Sequence, residues 1–402
     1  MAPLAAAPPS HRTAGAATPR RLSSLDGLRG VAAVVVVLHH VLLVVPVLAS
    51  AGAPGHDDGP FRWLVNSPLH LFWAGEEAVV VFFVLSGCVL TLAVLRVSST
   101  PWRAYYPSRL LRLYLPVVAS VGFALVLALT VPRSAPDQRS RWMNIHDDEV
   151  SVVSVLRTAT LLGNADNLNS VLWTLRWEVV FSLALPLYVW IARRVVRSGL
   201  VLAALAIAAS VAGSLSASTP VKYLPIFMLG VVLAVHLREV QSVFDRLRRR
   251  WSWALPGLGA LSLLLVTIGW WWPWPGPTGN LVLATRPVVL VACTLIVALA
   301  LVARWSWLES PVVAWLGRIS FSLYLVHEPI VVSVAYLLPT QSVWLVGPIA
   351  VPLAVAAAAV FYRFVESPSH RAARAVARWC RGSGAQTVRA AEGPVTADRV
   401  ER

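Results

Sequence analysis

Charge is what this sequence has least of. Only 13% of its 402 residues are charged, about half the usual quarter. The 19 acidic residues are outnumbered by 34 basic ones, a formal net charge of +15. A soluble globule of this length needs more charge than that on its surface, so a soluble fold is excluded. Cysteine is equally scarce. Cys88 and Cys293 lie in apolar runs and Cys380 in a basic tail, so neither a disulfide framework nor metal-ligand spacing exists. No internal repeat is visible. What abounds is apolar: 57% of the chain is hydrophobic before its 23 Gly are counted. That composition rules out disorder of the whole chain and a collagen-like fibre. It leaves an all-α, polytopic integral-membrane helical bundle. A basic balance can point to nucleic acid, but the apolar content makes the lipid bilayer the partner instead.

A span needs about 20 apolar residues. Ten stretches qualify, near 28–50, 76–97, 112–132, 171–192, 199–216, 221–238, 252–272, 285–303, 318–338 and 343–365. The fifth and sixth are short and separated by Thr219-Pro220. The segment 150–163 is too short to cross and is expected at the surface or dipping in. With the N-terminus inside, about 25 of the 34 basic residues fall on the inner side, as the positive-inside rule requires. The expectation is therefore ten spans with both termini cytoplasmic, in the plasma membrane. Residues 1–22 form a basic tail expected to be disordered, 23–368 the membrane domain, and 369–402 a basic and mostly disordered C-terminal tail. Ala49-Ser50-Ala51 has the look of a signal cleavage site, but the apolar run before it is too long for one.

An ionisable residue inside a spanning helix is costly and marks a site by default. Arg29 and His40 are eleven residues apart on the first span. At 100° per residue they share one face, roughly 16 Å apart along the axis. Arg29 at the inner mouth suits a bidentate grip on phosphate, and His40 halfway across suits a general base. Arg109 and Arg112 on the third span are candidate second phosphate contacts. Glu178 lies inside the fourth span and needs a partner. Arg176 is two positions away and points elsewhere, while Trp173 and Trp177 suit an aromatic belt. Ser320, Tyr324 and His327 form one stripe on the ninth span, next to Glu328. Ser86 beside Gly87 suits close helix packing better than chemistry. Glu366 is expected to partner an Arg at the inner surface. The outer stretch 133–170, with Asp147, Asp148 and Glu149, is the longest connection.

Seven segments in order carry a resemblance: LDGLRGVAAVVVVLHH, FFVLSG, RLLRLYLP, WTLRWEVVFS, FMLG, SFSLYLVHEP and FVESP. Together they resemble the acyltransferase-3 family of integral-membrane O-acyltransferases, over about residues 24–368. The resemblance implies transfer of an acyl group, acetyl by expectation, from cytosolic acyl-CoA as co-substrate, with no permanently bound cofactor. As acceptor it implies a hydroxyl of a carbohydrate, envelope glycan or glycosylated metabolite. It implies His40, Glu178 and His327 as catalytic, and Arg29 with Arg109 and Arg112 as the donor-binding cations. Ser86, Trp173, Ser320 and Tyr324 stand near the site. Ala78 and Cys88 depart from the family pattern, as does the late placement of Pro116, and none of these removes a charge. Larger members add an SGNH hydrolase-like domain, and the expectation here is a stand-alone form. The main alternative is a transporter or flippase, which buried Arg, His and Glu also mark. The sequence lacks the inverted repeats or paired broken helices that would favour it. A non-catalytic scaffold would need no aligned ionisable stripe. Nothing in the sequence bears on oligomeric state.

Overall fold

The computed structural model describes residues 20–51, 58–96, 102–133, 139–146, 150–162, 168–196, 198–272, 279–303 and 305–391. Among the described residues every regular element is helical. Long apolar runs leave the backbone no partner but itself in lipid, and the helix is the single-segment solution. The main elements are α1 (Arg20–Leu43), α2 (Gly75–Leu95), α3 (Trp102–Thr130), α4 (Val152–Thr160), α5 (Trp173–Trp190), α6 (Gly199–Leu215) and α7 (Thr219–Val235). They continue with α8 (Leu237–Arg250), α9 (Ala254–Val266), α10 (Gly279–Val302), α11 (Pro311–Leu337), α12 (Val346–Phe361) and α13 (Ser367–Ala391).

The protein is a multi-pass membrane protein by length and composition. Seven helices are long and apolar enough to cross a bilayer, and eight if the bent pair α7 and α8 counts as one span. Helices occupy all ten expected apolar stretches, but α6 has 17 residues and α9 has 13. At 1.5 Å per residue these two fall short of the bilayer core when upright. The 73° bend between α7 and α8 has a compositional cause. Apolar α7 gives way to LREVQSVFDRLRRR, whose Phe244 is buried while Arg246, Arg248, Arg249 and Arg250 are exposed. Such a helix belongs in the interface plane rather than across it.

Two boundaries differ from the sequence expectation. Helix α1 begins at Arg20, and residues 1–19 lie outside those described. The C-terminal tail is not disordered from residue 369: α13 runs to Ala391 and packs against α3. Its RAARAVARW pattern places Ala373 in the core while arginines stay outside, an amphipathic stripe that basic composition concealed. Helix α4 is short, as expected, and packs on α3, with Tyr114 donating to the Thr160 carbonyl at 3.1 Å. Asp147, Asp148 and Glu149 lie outside the described residues.

The seam that positions the site joins α1 to α11. A methyl group added at Gly30 would stand 2.6 Å from the Gly317 nitrogen, and one at Gly317 would stand 2.2 Å from the Asp26 carbonyl. Only glycine lets the two backbones approach so closely. Ten residues further along both helices His40 meets His327. The helices therefore run parallel in constant register, and every third or fourth residue of α1 meets the same seam. A second close contact joins α2 to α7, where Cβ atoms at Gly87 and Gly230 would lie 2.2 Å and 2.0 Å from the carbonyls of Phe227 and Val84. That explains Gly87 in FFVLSG and Gly230 in FMLG.

At one end of α1, His70 is buried between Trp73 and Trp270, with ring centroids 4.3 Å and 3.9 Å away. Burial pushes its imidazole down from 6.5 to about 3. Neighbouring His39 adds to the fall, and the bond to the Val65 carbonyl opposes it. The unfolded chain takes up a proton near pH 6.5 where the folded one does not. His70 therefore contributes stability that is full above that pH and is lost as pH falls towards 3. Thermal unfolding of His70→Phe is expected to depend less on pH between 7.5 and 4.5 than that of the parent. Gly230→Val should lower the melting temperature by forcing α2 from α7, at about 1–3 kcal/mol. Gly122→Ala, with open space around it, should not lower it.

Candidate active site

Two cavities meet between α1, α2, α3, α5 and α11. The larger, about 220 Å³, is lined by Arg29, Arg109, Arg112 and Arg318 together with Asp26, Glu178 and Glu366. A smaller chamber of about 40 Å³ shares Arg29, Ser86, Glu178, Ser320 and Phe321 with it and ends at Thr174 and Tyr324. The expected residues Arg29, Arg109, Arg112, Glu178, Ser86, Ser320 and Tyr324 thus line two adjoining cavities with shared walls.

The pairing within that space corrects several expectations. Glu178 does not reach His40. It accepts from Arg109 Nη2 at 2.6 Å and from Ser86 Oγ at 3.1 Å, and Arg109 Nε also donates to Ser182 Oγ at 3.1 Å. Arg109 therefore holds Glu178 while also lining the larger cavity. Ser86 bonds across to α5, while the neighbouring Gly87 supplies the close packing. Arg29 and Arg112 make no hydrogen bond or ion pair among the described residues, although both line the cavity. Arg176 lies over the Trp177 ring at 5.3 Å. Trp177 is buried in the core, and the half-buried Trp173 packs 4.8 Å from Tyr223. Glu366 accepts from the Ser322 backbone and hydroxyl at 3.1 Å and 2.6 Å, stands 3.7 Å from His370 Nε2, and feels the charges of Arg29 and Arg112 across the cavity.

The histidines form a second group beyond Tyr324, outside the lining of both cavities. His40 Nδ1 is 2.8 Å from the Val36 carbonyl and 3.2 Å from His327 Nε2. A carbonyl can only accept, so Nδ1 carries the proton. His327 Nδ1 likewise donates to the Leu323 carbonyl at 2.9 Å, leaving its Nε2 to accept from His40. The lone pair of His40 then lies on Nε2, which has no hydrogen-bond partner among the described residues. This is the tautomer a general base requires. The Tyr324 ring is 5.9 Å from His327, and its hydroxyl is held by Thr174 Oγ1 at 2.7 Å and the Val171 carbonyl at 3.0 Å. His39 turns away and bonds the Trp73 carbonyl at 2.9 Å, which separates the roles of the two adjacent histidines.

Sequence reasoning missed His146 and Ser170, which come from the outer stretch. Glu328 is completely buried. It accepts from His146 Nε2 at 3.0 Å, from the Val171 backbone at 2.9 Å and from the Ser170 hydroxyl. His146 Nδ1 also faces an oxygen, the Trp142 carbonyl at 3.0 Å. A carbonyl can only accept, so Nδ1 carries hydrogen, and the Nε2 contact brings His146 and Glu328 within ion-pair distance. Trp142 then stands with its ring 5.5 Å from His40. A buried Glu beside His327 was the available signal, because an intramembrane carboxylate demands a partner.

A family model described as "Acyltransferase domain" matches residues 22–363, and the chain belongs to that acyltransferase-3 family. It is 28% identical over 336 residues to "Acyltransferase MdmB" of Streptomyces mycarofaciens, covering 76% of this chain and 78% of that protein. No solved structure matches the chain.

Removing one partner of a buried ion pair strands the other, at about 3–5 kcal/mol. His146→Leu and Glu328→Leu are each expected to destabilise strongly, and the double variant less than the sum of the two. Thermal unfolding of all four proteins measures that coupling.

Proposed function

We propose that the protein is an O-acyltransferase that takes an acyl group, acetyl by preference, from acyl-CoA at the inner face. It passes the group to a hydroxyl of a carbohydrate, envelope glycan or glycosylated metabolite. In this reading the chain crosses the plasma membrane ten times with both termini inside. The observation that carries it is the pair of guanidinium groups, Arg29 and Arg112, that make no hydrogen bond among the described residues and share a cavity with Asp26 and Glu366 on one side of Tyr324, with an imidazole bearing a bare Nε2 on the other. Two such forks suit the phosphates of a nucleotide thioester.

His40 Nε2 takes the proton of the acceptor hydroxyl as its oxygen attacks the thioester carbonyl. The tetrahedral intermediate collapses, the C–S bond breaks, and the leaving thiolate recovers that proton from His40. His327 Nε2 accepts from His40 Nδ1–H and steadies the imidazolium formed in between. Glu178, Arg109 and Ser86 shape the donor channel. Tyr324 stands between the donor chamber and the histidines, so transfer requires its ring to leave the Val171 and Thr174 contacts. The Streptomyces mycarofaciens relative, an acyltransferase, supports the reaction class.

Purified protein incubated with radiolabelled acetyl-CoA and a cell extract should move label into glycans or small metabolites. His40→Ala should keep the parent melting temperature within a few degrees and transfer no label. Transfer at the parent rate by that variant would overturn the assignment. Arg29→Gln should raise KM for the thioester about 10–100-fold, the loss of one or two charge-assisted hydrogen bonds, with a smaller change in kcat.

A further inference from the structure

A third cavity, of about 400 Å³, opens at the end of the bundle where α1 finishes and shares no residue with the two described above. Contact fixes which end this is: a Cβ at Gly75, where α2 starts, would stand 2.4 Å from the His39 ring. The start of α2, the end of α6, the start of α7 and the early part of α10 surround the cavity. Its charged lining is Glu76, Lys222 and Arg286, and the acyl-transfer reaction proposed above uses none of the three.

Backbone packing sets Lys222 in place. A Cβ at Gly213 would lie 2.2 Å from the Lys222 nitrogen, so α6 and α7 touch main chain to main chain, and Ser210 Oγ donates to the Lys222 carbonyl at 2.7 Å. Lys222 Nζ then stands 2.8 Å from Glu76 Oε1, and Arg286 Nη1 stands 3.5 Å from the same oxygen. One carboxylate between two cations leaves an excess of one positive charge. The other edge of the Arg286 guanidinium is bare: Nε and Nη2 are buried and have no hydrogen-bond partner among the described residues. That edge is the planar fork that grips two oxygens of one oxyanion, and buried donors of this kind call for an acceptor. The surroundings indicate which anion. Leu215 and Val221, beside the cavity, are exposed apolar residues. Helix α6 has 17 residues, about 25 Å at 1.5 Å each, against a hydrocarbon core of about 30 Å. A short span thins the bilayer around it, which draws headgroups inward at its end.

We propose that this cavity binds the phosphate of an anionic phospholipid of the phosphatidylglycerol type. Arg286 Nε and Nη2 fork two phosphate oxygens, and Lys222 is shared between the phosphate and the half-exposed Glu76. Binding turns the bare edge of the guanidinium towards the cavity that the same side chain lines. The single negative charge of a phosphodiester matches the excess positive charge, and the acyl chains lie over Leu215 and Val221.

The test titrates the full chain, delipidated in detergent, with phosphatidylglycerol and counts bound lipid by native mass spectrometry. Phosphatidylcholine, whose choline cancels the phosphate charge, is the comparison lipid, and inorganic phosphate is the soluble competitor. The exposed arginines of α8, at the opposite end of α7, also attract anionic lipid, so a variant with Arg246→Gln and Arg249→Gln serves as control. The parent should hold one phosphatidylglycerol more tightly than phosphatidylcholine. Arg286→Gln should weaken that binding at least about tenfold, the loss of a charge-assisted fork, and the α8 variant should leave it unchanged. If Arg286→Gln does not fold, Lys222→Gln carries the same comparison with a smaller loss. Unchanged binding in whichever of these variants folds would overturn the proposal. So would equal affinity for the two lipids, or loss of the bound lipid in the α8 variant alone. Displacement of the lipid by millimolar inorganic phosphate would assign the cavity to a soluble phosphate and overturn the lipid source.

Discussion

The parallel contact between α1 and α11 is the constraint on which the rest of the molecule depends. Lipid offers no hydrophobic drive to hold two apolar helices together, so their association rests on close packing and on polar contacts. Gly30 and Gly317 supply the first at one level, and His40 with His327 the second ten residues further on. Because the register is constant, a cation near the middle of α1 and an imidazole in its last turn both look towards α11. Replace either glycine by a bulky residue and the seam opens along its length, so site geometry and fold stability are one property here.

Around that seam the polar groups divide into committed and uncommitted. Arg109, Glu178, Ser86 and Ser182 bond one another, as do Glu328, His146, Ser170 and the Val171 backbone. These networks satisfy groups that would otherwise be stranded in a low-dielectric interior. What they leave over is more informative. Arg29 and Arg112 line the cavity without hydrogen-bond partners, and His40 Nε2 holds a lone pair. Tyr324 separates the cation side from the imidazole side.

Much of this was legible in the sequence because it depends on helical periodicity. Arg29 and His40 on one face, the Ser320–Tyr324–His327 stripe, and the helices over all ten apolar runs follow from spacing alone. The family assignment followed from seven short segments in order. What stayed hidden depends on which helices are neighbours. Nothing in WTLRWEVVFS says that Glu178 faces Arg109 rather than His40, since the two lie 69 residues apart. His146 was invisible for the same reason: it sits in a polar connection and meets Glu328 from 182 residues away. Helix α13 was misjudged because a basic composition outweighed its apolar stripe.

The central claim is the register of α1 against α11, and disulfide cross-linking measures it directly. In a Cys380→Ser background, which leaves only the buried Cys88 and Cys293, cysteines at Ala33 and Ser320 keep the offset that joins Gly30 to Gly317 and His40 to His327. That pair is expected to cross-link in membranes, whereas Ala33 with Ile330 is not. Cross-linking of the second pair in place of the first would mean that α1 and α11 do not run in step, and the shared seam of Arg29 and His40 would be lost.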